Sequence, residues 1–218
     1  MGDALAEDRA ARTSPYAWML DRFVCPATRL TELDGLDAPV SVVLDGELEA
    51  PAAAIELRLA EASAVADAVG RLRELSAEVY CELPLSEMPG AIVAVAAAGG
   101  RVKLRCGGEV VPSVERVAQV LVGCHEAGVV MKATAGLHHP LRRGEEHGFL
   151  NLLCAAVRAG DGLPVARELL SAESLGELPL ASLTADDVRS ARSALFKGFG
   201  SCSWREPVDD LRGLGVLS

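Results

Sequence analysis

A lysine interrupts an apolar, strand-like run in the passage Val129–Pro140, and it is the residue with the clearest chemical potential. Side chains alternate along a strand, so Lys132 and Thr134 share one face. If that face is turned inward, desolvation favours the neutral amine, which attacks carbonyl carbons and forms Schiff bases. The alternative, given equal weight, is a structural ion pair between Lys132 and Glu82 or another strand carboxylate.

A second cationic strand is predicted at Arg101–Cys106, where Lys103 and Arg105 fall on one face. Gly107 and Gly108 follow it, and their backbone amides can approach an anion closely because no side chain intervenes. Two cationic strands that end side by side predict an acidic or phosphorylated substrate.

Three of the four histidines, His138, His139 and His147, fall within ten residues. On the predicted helix Glu146–Arg158, His147 and Asn151 lie four residues apart, a spacing that lets both meet one ligand. Acid–base or hydrogen-bonding duty for one histidine is favoured. The alternative is a metal site that takes a carboxylate from another strand. The candidate carboxylates are Asp45, Glu56 and Glu82.

Small polar residues occupy the passage Phe199–Pro207, which includes Ser201 and Cys202. A phosphate-binding turn or a thiol site would fit this composition. A nucleophilic hydrolase is disfavoured, because no GxSxG motif surrounds Ser201. The six cysteines occur without a signal sequence or a CxxC pair, so we expect reduced and mostly buried thiols.

The elements that must position these residues alternate between short β-rich runs and segments of helical period. This pattern predicts parallel strands joined by crossover helices, in a single domain over residues 1–218. No glycine-rich phosphate loop follows the first strand, so a (β/α)8-type TIM barrel, with its site at the carboxyl ends of the strands, is favoured over a doubly wound sheet. Strands are predicted at Met19–Cys25, Ser41–Leu44, Ile55–Leu59, Glu78–Leu83, Arg101–Cys106, Val129–Thr134 and Gly200–Trp204. Helices are predicted at Ser63–Leu75 and Val114–Ala127, and from Thr184 to Leu195.

The composition excludes several classes of partner. The 218 residues include 21 Lys and Arg against 31 Asp and Glu, a net charge of −10, so a nucleic-acid partner is not expected. Apolar runs fall far below the roughly 18–20 residues that cross a bilayer, so no membrane partner is expected either. The acidic N-terminal segment has no apolar signal region, which predicts a cytoplasmic protein.

Five passages together resemble, nearly end to end, a family of bacterial and plant proteins of predicted TIM-barrel fold without an established activity. They are AWMLDRFVCPATRLTEL, VKLRCGG, MKATAGLHHPLR, HGFLNLLCAA and FGSCSWREPVDDL. Cys106 stands where the family commonly has Thr. The residues that match the family's motifs are Lys103, Arg105, Gly107, Gly108, Lys132, Thr134, Gly136, His138, His139, Pro140, Gly148, Asn151, Gly200, Ser201, Cys202, Ser203, Glu206 and Pro207.

The same resemblance implies a missing strand. Family members usually begin with a segment like DYAGLFPPA that supplies the first strand, and this chain starts after it. The barrel is therefore expected to be incomplete, with about seven strands and two unpaired edges. We expect the segment Asp3–Tyr16 to cover the gap. The alternatives are that the strands splay apart, or that the edges pair with a second copy in a homo-oligomer.

A shorter resemblance, over Met131–Gly136, is to the VKxSTG strand end of deoxyribose-phosphate aldolase type class I aldolases, and it implies a lysine at a barrel mouth. The resulting hypothesis is a lyase or aldolase acting on a small anionic carbonyl compound, without metal or cofactor. Lys132 is the Schiff-base amine, and Glu82 or His138 is the proton shuttle. The predicted substrate-binding residues are Lys103, Arg105, Gly107, Gly108, Thr134, His139, Asn151 and Ser201. Two alternatives remain: a metal-dependent enzyme using His138, His139 or His147, and a non-catalytic barrel remnant that acts as a binding or scaffold protein.

Overall fold

The computed structural model of the chain describes residues 1–217, and all of their side chains except that of Pro89. It contains seven strands, which form one parallel sheet in the order in which they occur in the chain. The strands are β1 (Phe23–Pro26), β2 (Val40–Val43), β3 (Ala54–Arg58), β4 (Val79–Glu82), β5 (Arg101–Arg105), β6 (Met131–Thr134) and β7 (Phe196–Gly200).

Helices follow the strands regularly from β3 onward, whereas the connections after β1 and β2 contain no α-helix. Within residues 1–217, none of the helices is both long and apolar enough to cross a membrane. The α-helices are α1 (Gly2–Arg12), α2 (Val65–Leu72), α3 (Met88–Ala98), α4 (Val114–Glu126), α5 (Phe149–Val157), α6 (Leu163–Ser171), α7 (Ala185–Ala194) and α8 (Arg205–Gly213).

The two faces of the sheet differ sharply in polarity, and the strand period of two explains the difference. In β5, Val102 and Leu104 are fully buried in the hydrophobic core that the sheet shares with the helices, while Lys103 between them faces the other way. Met131 and Ala133 in β6 repeat the pattern. We call the helix-covered side the outer face and the opposite, charged side the inner face.

The sheet is strongly curled, as ion pairs across the inner face show. Lys132 in β6 lies 2.5 Å from Glu56 in β3, and Arg22, just before β1, lies 2.5 Å from Glu78, just before β4. Strands three positions apart in a flat sheet would be separated by about 14 Å. The seven strands therefore form a curled half-barrel, which is compatible with an incomplete barrel.

The two outermost strands approach each other without pairing in the part of the chain that is described. Lys197 in β7 lies 3.9 Å from Asp21, next to β1. Helix α1, which overlaps the segment Asp3–Tyr16 expected to cover the gap, contacts both of its sides. Its Glu7 accepts hydrogen bonds from the residues after β7, and its Arg12 donates to the Asp21 carbonyl oxygen.

The positions of the first six strands confirm the sequence pattern to within a few residues, but the seventh prediction is wrong. The strand spans Phe196–Gly200, not Gly200–Trp204. Two glycines weaken its intrinsic strand propensity. Pairing with β6 and stacking of Phe199 on Phe149, with ring centroids 4.7 Å apart, outweigh that weakness.

The predicted helix Glu146–Arg158 begins later than expected, at Phe149, so His147 lies outside it. The other predicted helices are confirmed more closely, at Val65–Leu72, Val114–Glu126 and Ala185–Ala194. Thr184 and Asp187 form a reciprocal capping box at the start of α7, and Gly128 adopts φ +64° two residues after the end of α4.

Two glycines hold the loops after β5 and β6 in direct backbone contact. A Cβ on Gly107 would lie 2.7 Å from the Gly136 Cα atom, and a Cβ on Gly136 would lie 2.9 Å from the Cys106 carbonyl oxygen. Gly136 also has φ +65°. Only glycine satisfies both conditions at position 136 without displacing backbone.

We expect Gly136→Ala to lower the free energy of unfolding by about 2–5 kcal/mol, because backbone overlap adds to left-handed strain. Gly128→Ala is the matched control, with φ +64° and no atom within 4 Å of the added Cβ, and should lose only about 1–2 kcal/mol. Urea denaturation of both variants measures the difference. Equal losses of unfolding free energy in the two variants would contradict the backbone contact between Gly107 and Gly136.

Candidate functional site

The inner face carries a buried ionic network with Glu56 at its centre. Glu56 is 1% exposed. One of its oxygens accepts hydrogen bonds from Ser41 Oγ at 2.6 Å and from Lys132 Nζ at 2.5 Å. Its other oxygen lies 3.1 Å from Lys103 Nζ. The carboxylate therefore holds two ammonium groups together on the floor of the curled sheet.

The network continues through Lys103 to a second carboxylate. Lys103 Nζ lies 2.9 Å from one oxygen of Glu82. The other oxygen of Glu82 accepts hydrogen bonds from Arg58 Nε at 3.0 Å and Arg105 Nε at 3.1 Å. Five consecutive strands, β2 to β6, contribute to one connected set of polar groups.

The register of the sheet explains why the charges meet. Lys103 and Lys132 stand directly opposite each other in neighbouring strands, and Arg105 stands opposite Thr134. Like charges at opposed positions destabilise a sheet unless carboxylates come between them. Glu56 and Glu82, from the next two strands around the curl, supply those carboxylates.

The network divides into a buried floor and an exposed rim. Lys132 is 13% exposed, whereas Arg58 and Arg105 are 70% and 43% exposed. Four cationic side chains face two carboxylates, which leaves an excess of two positive charges. This excess favours an anionic ligand at the rim.

The lysines and arginines keep both carboxylates ionised. Burial alone would raise the pKa of Glu56, but the ammonium groups of Lys132 and Lys103 lower it below its ordinary value. Burial likewise opposes ionisation of Glu82, and its hydrogen bonds and charge interactions with Lys103 and Arg105 lower its pKa. The network is a set of true ion pairs at neutral pH.

Two local features beside Lys132 are characteristic of functional sites. The Thr134 hydroxyl is buried and has no hydrogen-bond partner in the structure. Folded proteins rarely leave a buried polar group without a partner. Ala135, the next residue, adopts φ +61° and is the one non-glycine with positive φ among the described residues. Backbone strain of this kind clusters at ligand sites.

The predicted glycine turn does lie beside the rim. A Cβ on Gly108 would lie 3.7 Å from Arg105 Nη1, so nothing bulky separates this backbone from the guanidinium. Gly107 packs against Gly136 and serves the contact between loops described above. The structure thus brings together Lys103, Arg105, Gly108, Thr134 and Lys132, as the sequence predicted, and places Glu82 among them.

His138 and His139 contact other partners than the ionic network. His138 Nδ1 lies 3.3 Å from Glu206, and His139 Nδ1 lies 2.6 Å from Asp210, both in α8. Ser201 donates its hydrogen bond to the Ser203 carbonyl oxygen, within its own turn. The proposed proton-shuttle role of His138 has no contact with Lys132 to support it.

His147 and Asn151 serve the fold, and they do not form the predicted pair on one helix face. His147 Nε2 donates to the Pro112 carbonyl oxygen at 2.7 Å, and burial lowers the pKa of His147, so the ring is neutral. The Asn151 side chain is fully buried and bonds three backbone groups, those of Arg142, Leu169 and Ala172.

Ser41 and Arg58 have no local signal in the sequence, and the pattern predicts Glu56 only as one strand carboxylate among several. The sequence does contain one local indication for Glu56. It stands between Ile55 and Leu57 in a buried strand, where an unpaired acidic residue is rare. Its contact with Lys132 depends on the curl of the sheet, which no local pattern encodes.

Comparisons of the chain with protein families, with curated proteins and with solved structures found no match.

We expect Glu56→Gln to lower the free energy of unfolding by about 3–5 kcal/mol, because it leaves Lys132 and Lys103 buried without their shared counter-charge. Glu115→Gln removes an exposed ion pair with Arg167 and is the control, for which the loss should be below about 1 kcal/mol. Chemical denaturation compares the two. A small loss in Glu56→Gln would show that the network is not essential to the fold.

The same carboxylates predict how stability depends on pH. The pKa values of Glu56, Glu78 and Glu82 are lower in the folded protein than the ordinary value of 4.5. Their contributions to the free energy of unfolding are therefore complete above pH 4.5 and are lost as the pH falls through the folded-state pKa values. In wild type, the free energy of unfolding should fall steeply below pH 4.5. The slope should be shallower in Glu56→Gln, and an unchanged slope would refute the assignment. Burial lowers the pKa of His147, so its contribution to the free energy of unfolding is lost as the pH falls below the ordinary value of 6.5. Wild type and Glu56→Gln share this earlier loss.

Proposed function

We propose that this protein is an incomplete (β/α)8-type TIM barrel whose Lys132 forms a Schiff base with a small anionic carbonyl compound, in a lyase or aldolase reaction. The observation that carries the proposal is the position of the Lys132 amine. It lies on the floor of the inner face, 2.5 Å from an ionised carboxylate, and the unpartnered hydroxyl of Thr134 belongs to the residue two positions further along the same strand. A cytoplasmic location belongs to the same proposal.

In this proposal Glu56, and not Glu82 or His138, is the proton shuttle. It contacts Lys132 Nζ directly, with Lys103 and Ser41 as its other partners. Glu56 is ionised at rest, and it takes the ammonium proton as the Lys132 nitrogen attacks the substrate carbonyl carbon. The carbinolamine hydroxyl takes this proton back from Glu56 and leaves as water, which gives the protonated Schiff base. The iminium group then draws in the electrons of the bond between the α- and β-carbons, while the β-carbon leaves as a carbonyl group and its hydroxyl proton passes to Glu56.

The rim supplies the anion site. Arg58 and Arg105 are exposed and already share Glu82, and the excess positive charge can be met by a carboxylate or phosphate group of the substrate. Arg58 follows Glu56 by two residues in β3, and Arg105 follows Lys103 by two residues in β5, so both arginines lie nearer the carboxyl end of the sheet than the floor of the network. An anionic group bound there would direct a carbonyl toward Lys132.

The tightness of the Lys132–Glu56 pair favours a second candidate function. A lysine held by a buried carboxylate can also be a permanent structural ion pair. The protein would then be a non-catalytic barrel remnant that binds anions at Arg58 and Arg105.

Borohydride trapping separates the two functions. Wild type is incubated with small aldehydes and 2-oxoacids, with and without a phosphate group, then reduced, and the adduct is located by mass spectrometry. We expect one adduct, on Lys132, formed best with the anionic compounds. Lys132→Arg keeps the charge that Glu56 needs but cannot form a Schiff base, and it should lose the adduct entirely.

Lys103→Arg is the matched control, because Lys103 shares the same carboxylate. It should keep the Lys132 adduct, with circular dichroism confirming that both variants fold. Equal labelling of wild type and Lys132→Arg, or an adduct on Lys103 alone, would rule out the proposed chemistry and leave the binding function.

A further inference from the structure

Three side chains of metal-ligating type meet at the carboxyl end of the sheet, outside the lysine network. They are His138 in the loop after β6, Cys202 in the loop after β7, and Glu206 in the first turn of α8. Their ligand atoms all lie within 4.8 Å of one another. Three separate segments of the chain thus bring a nitrogen, a sulfur and a carboxylate oxygen to one place.

The spacing of the nitrogen and oxygen atoms fits a tetrahedral metal ion, and the sulfur atom lies within 4.8 Å of both. Zinc binds nitrogen and oxygen ligands at about 2.0–2.2 Å and sulfur at about 2.3 Å. Tetrahedral angles then place a nitrogen and an oxygen ligand about 3.3 Å apart. His138 Nδ1 and the Glu206 carboxylate are 3.3 Å apart. This pair needs almost no movement to share a metal ion.

We propose that His138, Cys202 and Glu206 form a binding site for Zn²⁺. The thiolate excludes the hard cations Mg²⁺ and Ca²⁺, and the mixture of imidazole, thiolate and carboxylate is typical of zinc. Three protein ligands leave the fourth tetrahedral position for water or a ligand oxygen, as in catalytic rather than structural zinc sites. Cys202 releases its thiol proton to solvent when it binds the metal.

The surroundings hold two of the three ligands in place. Ser201 Oγ bonds both the carbonyl oxygen and the amide of Ser203, which closes the turn that carries Cys202. Ser203 Oγ in turn accepts from the backbone amide of Arg205, next to Glu206 at the start of α8. All three ligands are accessible to an incoming ion.

The neighbouring histidine provides a matched control. His139 is adjacent to His138 in the chain, but it bonds Asp210 at 2.6 Å and lies 3.7 Å from Glu146. It does not belong to the three-residue set. The proposal therefore distinguishes two adjacent histidines, and it does not depend on the proposed chemistry of Lys132.

The cysteines make the site directly measurable. All six are free, five are buried, and Cys202 alone is exposed. Burial raises the pKa of the Cys81 and Cys154 thiols to about 11 and that of Cys106 and Cys124 to about 12, which keeps them unreactive. Burial also raises the pKa of Cys25. A chromogenic disulfide reagent should therefore modify one thiol per folded chain.

The experiment measures the rate of that modification in the full-length, metal-stripped protein with and without ZnCl₂. We expect saturating zinc to slow it at least tenfold in wild type and in His139→Ala. In His138→Ala and Glu206→Gln the zinc concentration needed for half protection should rise at least about tenfold, since a ligand is lost. In a parallel titration, CoCl₂ should give a sulfur-to-cobalt charge-transfer band in wild type that is lost in Cys202→Ser.

Two results would overturn the proposal. One is the absence of protection in wild type. The other is equal protection in wild type, His138→Ala and Glu206→Gln, which would mean that the thiol binds zinc without the other two residues. Circular dichroism of each variant verifies that the fold is intact.

Discussion

The structure depends on one buried carboxylate that two lysines share. Glu56 is held by Lys132 and Lys103, which stand opposite each other in neighbouring strands. Transfer of these charges out of water costs several kcal/mol per ion, and the loss is offset only while every partner is in place. The curl of the sheet brings these partners within contact distance. The ion pairs in turn stabilise the curled shape, because they join strands that are not neighbours in the sheet.

This constraint also divides the molecule into two interiors of opposite character. Between the sheet and the helices lies an ordinary hydrophobic core, to which β5 and β6 contribute Val102, Leu104, Met131 and Ala133. The inner face, in contrast, is built from ion pairs that become more exposed toward the carboxyl ends of the strands. The unpartnered Thr134 hydroxyl and the strained Ala135 lie at the carboxyl end of β6.

The sequence predicted the parallel sheet, six of its strands and the helix that begins after Thr184, because these depend on local period and on side chains a few residues apart. It also predicted that Lys132 shares a face with Thr134, and Lys103 with Arg105, since alternation along a strand is a local rule. It could not predict which carboxylate each cation binds. Glu56 and Lys132 are 76 residues apart, and their contact follows from the curl. The shift of β7 and the exclusion of His147 from α5 have the same origin, because tertiary packing outweighed weak local signals.

The opposed lysines have a consequence for how this protein can change over evolutionary time. A single substitution at Glu56, Lys103 or Lys132 leaves an uncompensated charge among the survivors, so most one-step paths away from the network pass through a less stable protein. Substitutions that exchange a lysine and its carboxylate together, for apolar residues of similar volume, avoid that intermediate. Among relatives of this chain, these three positions should therefore vary as a group.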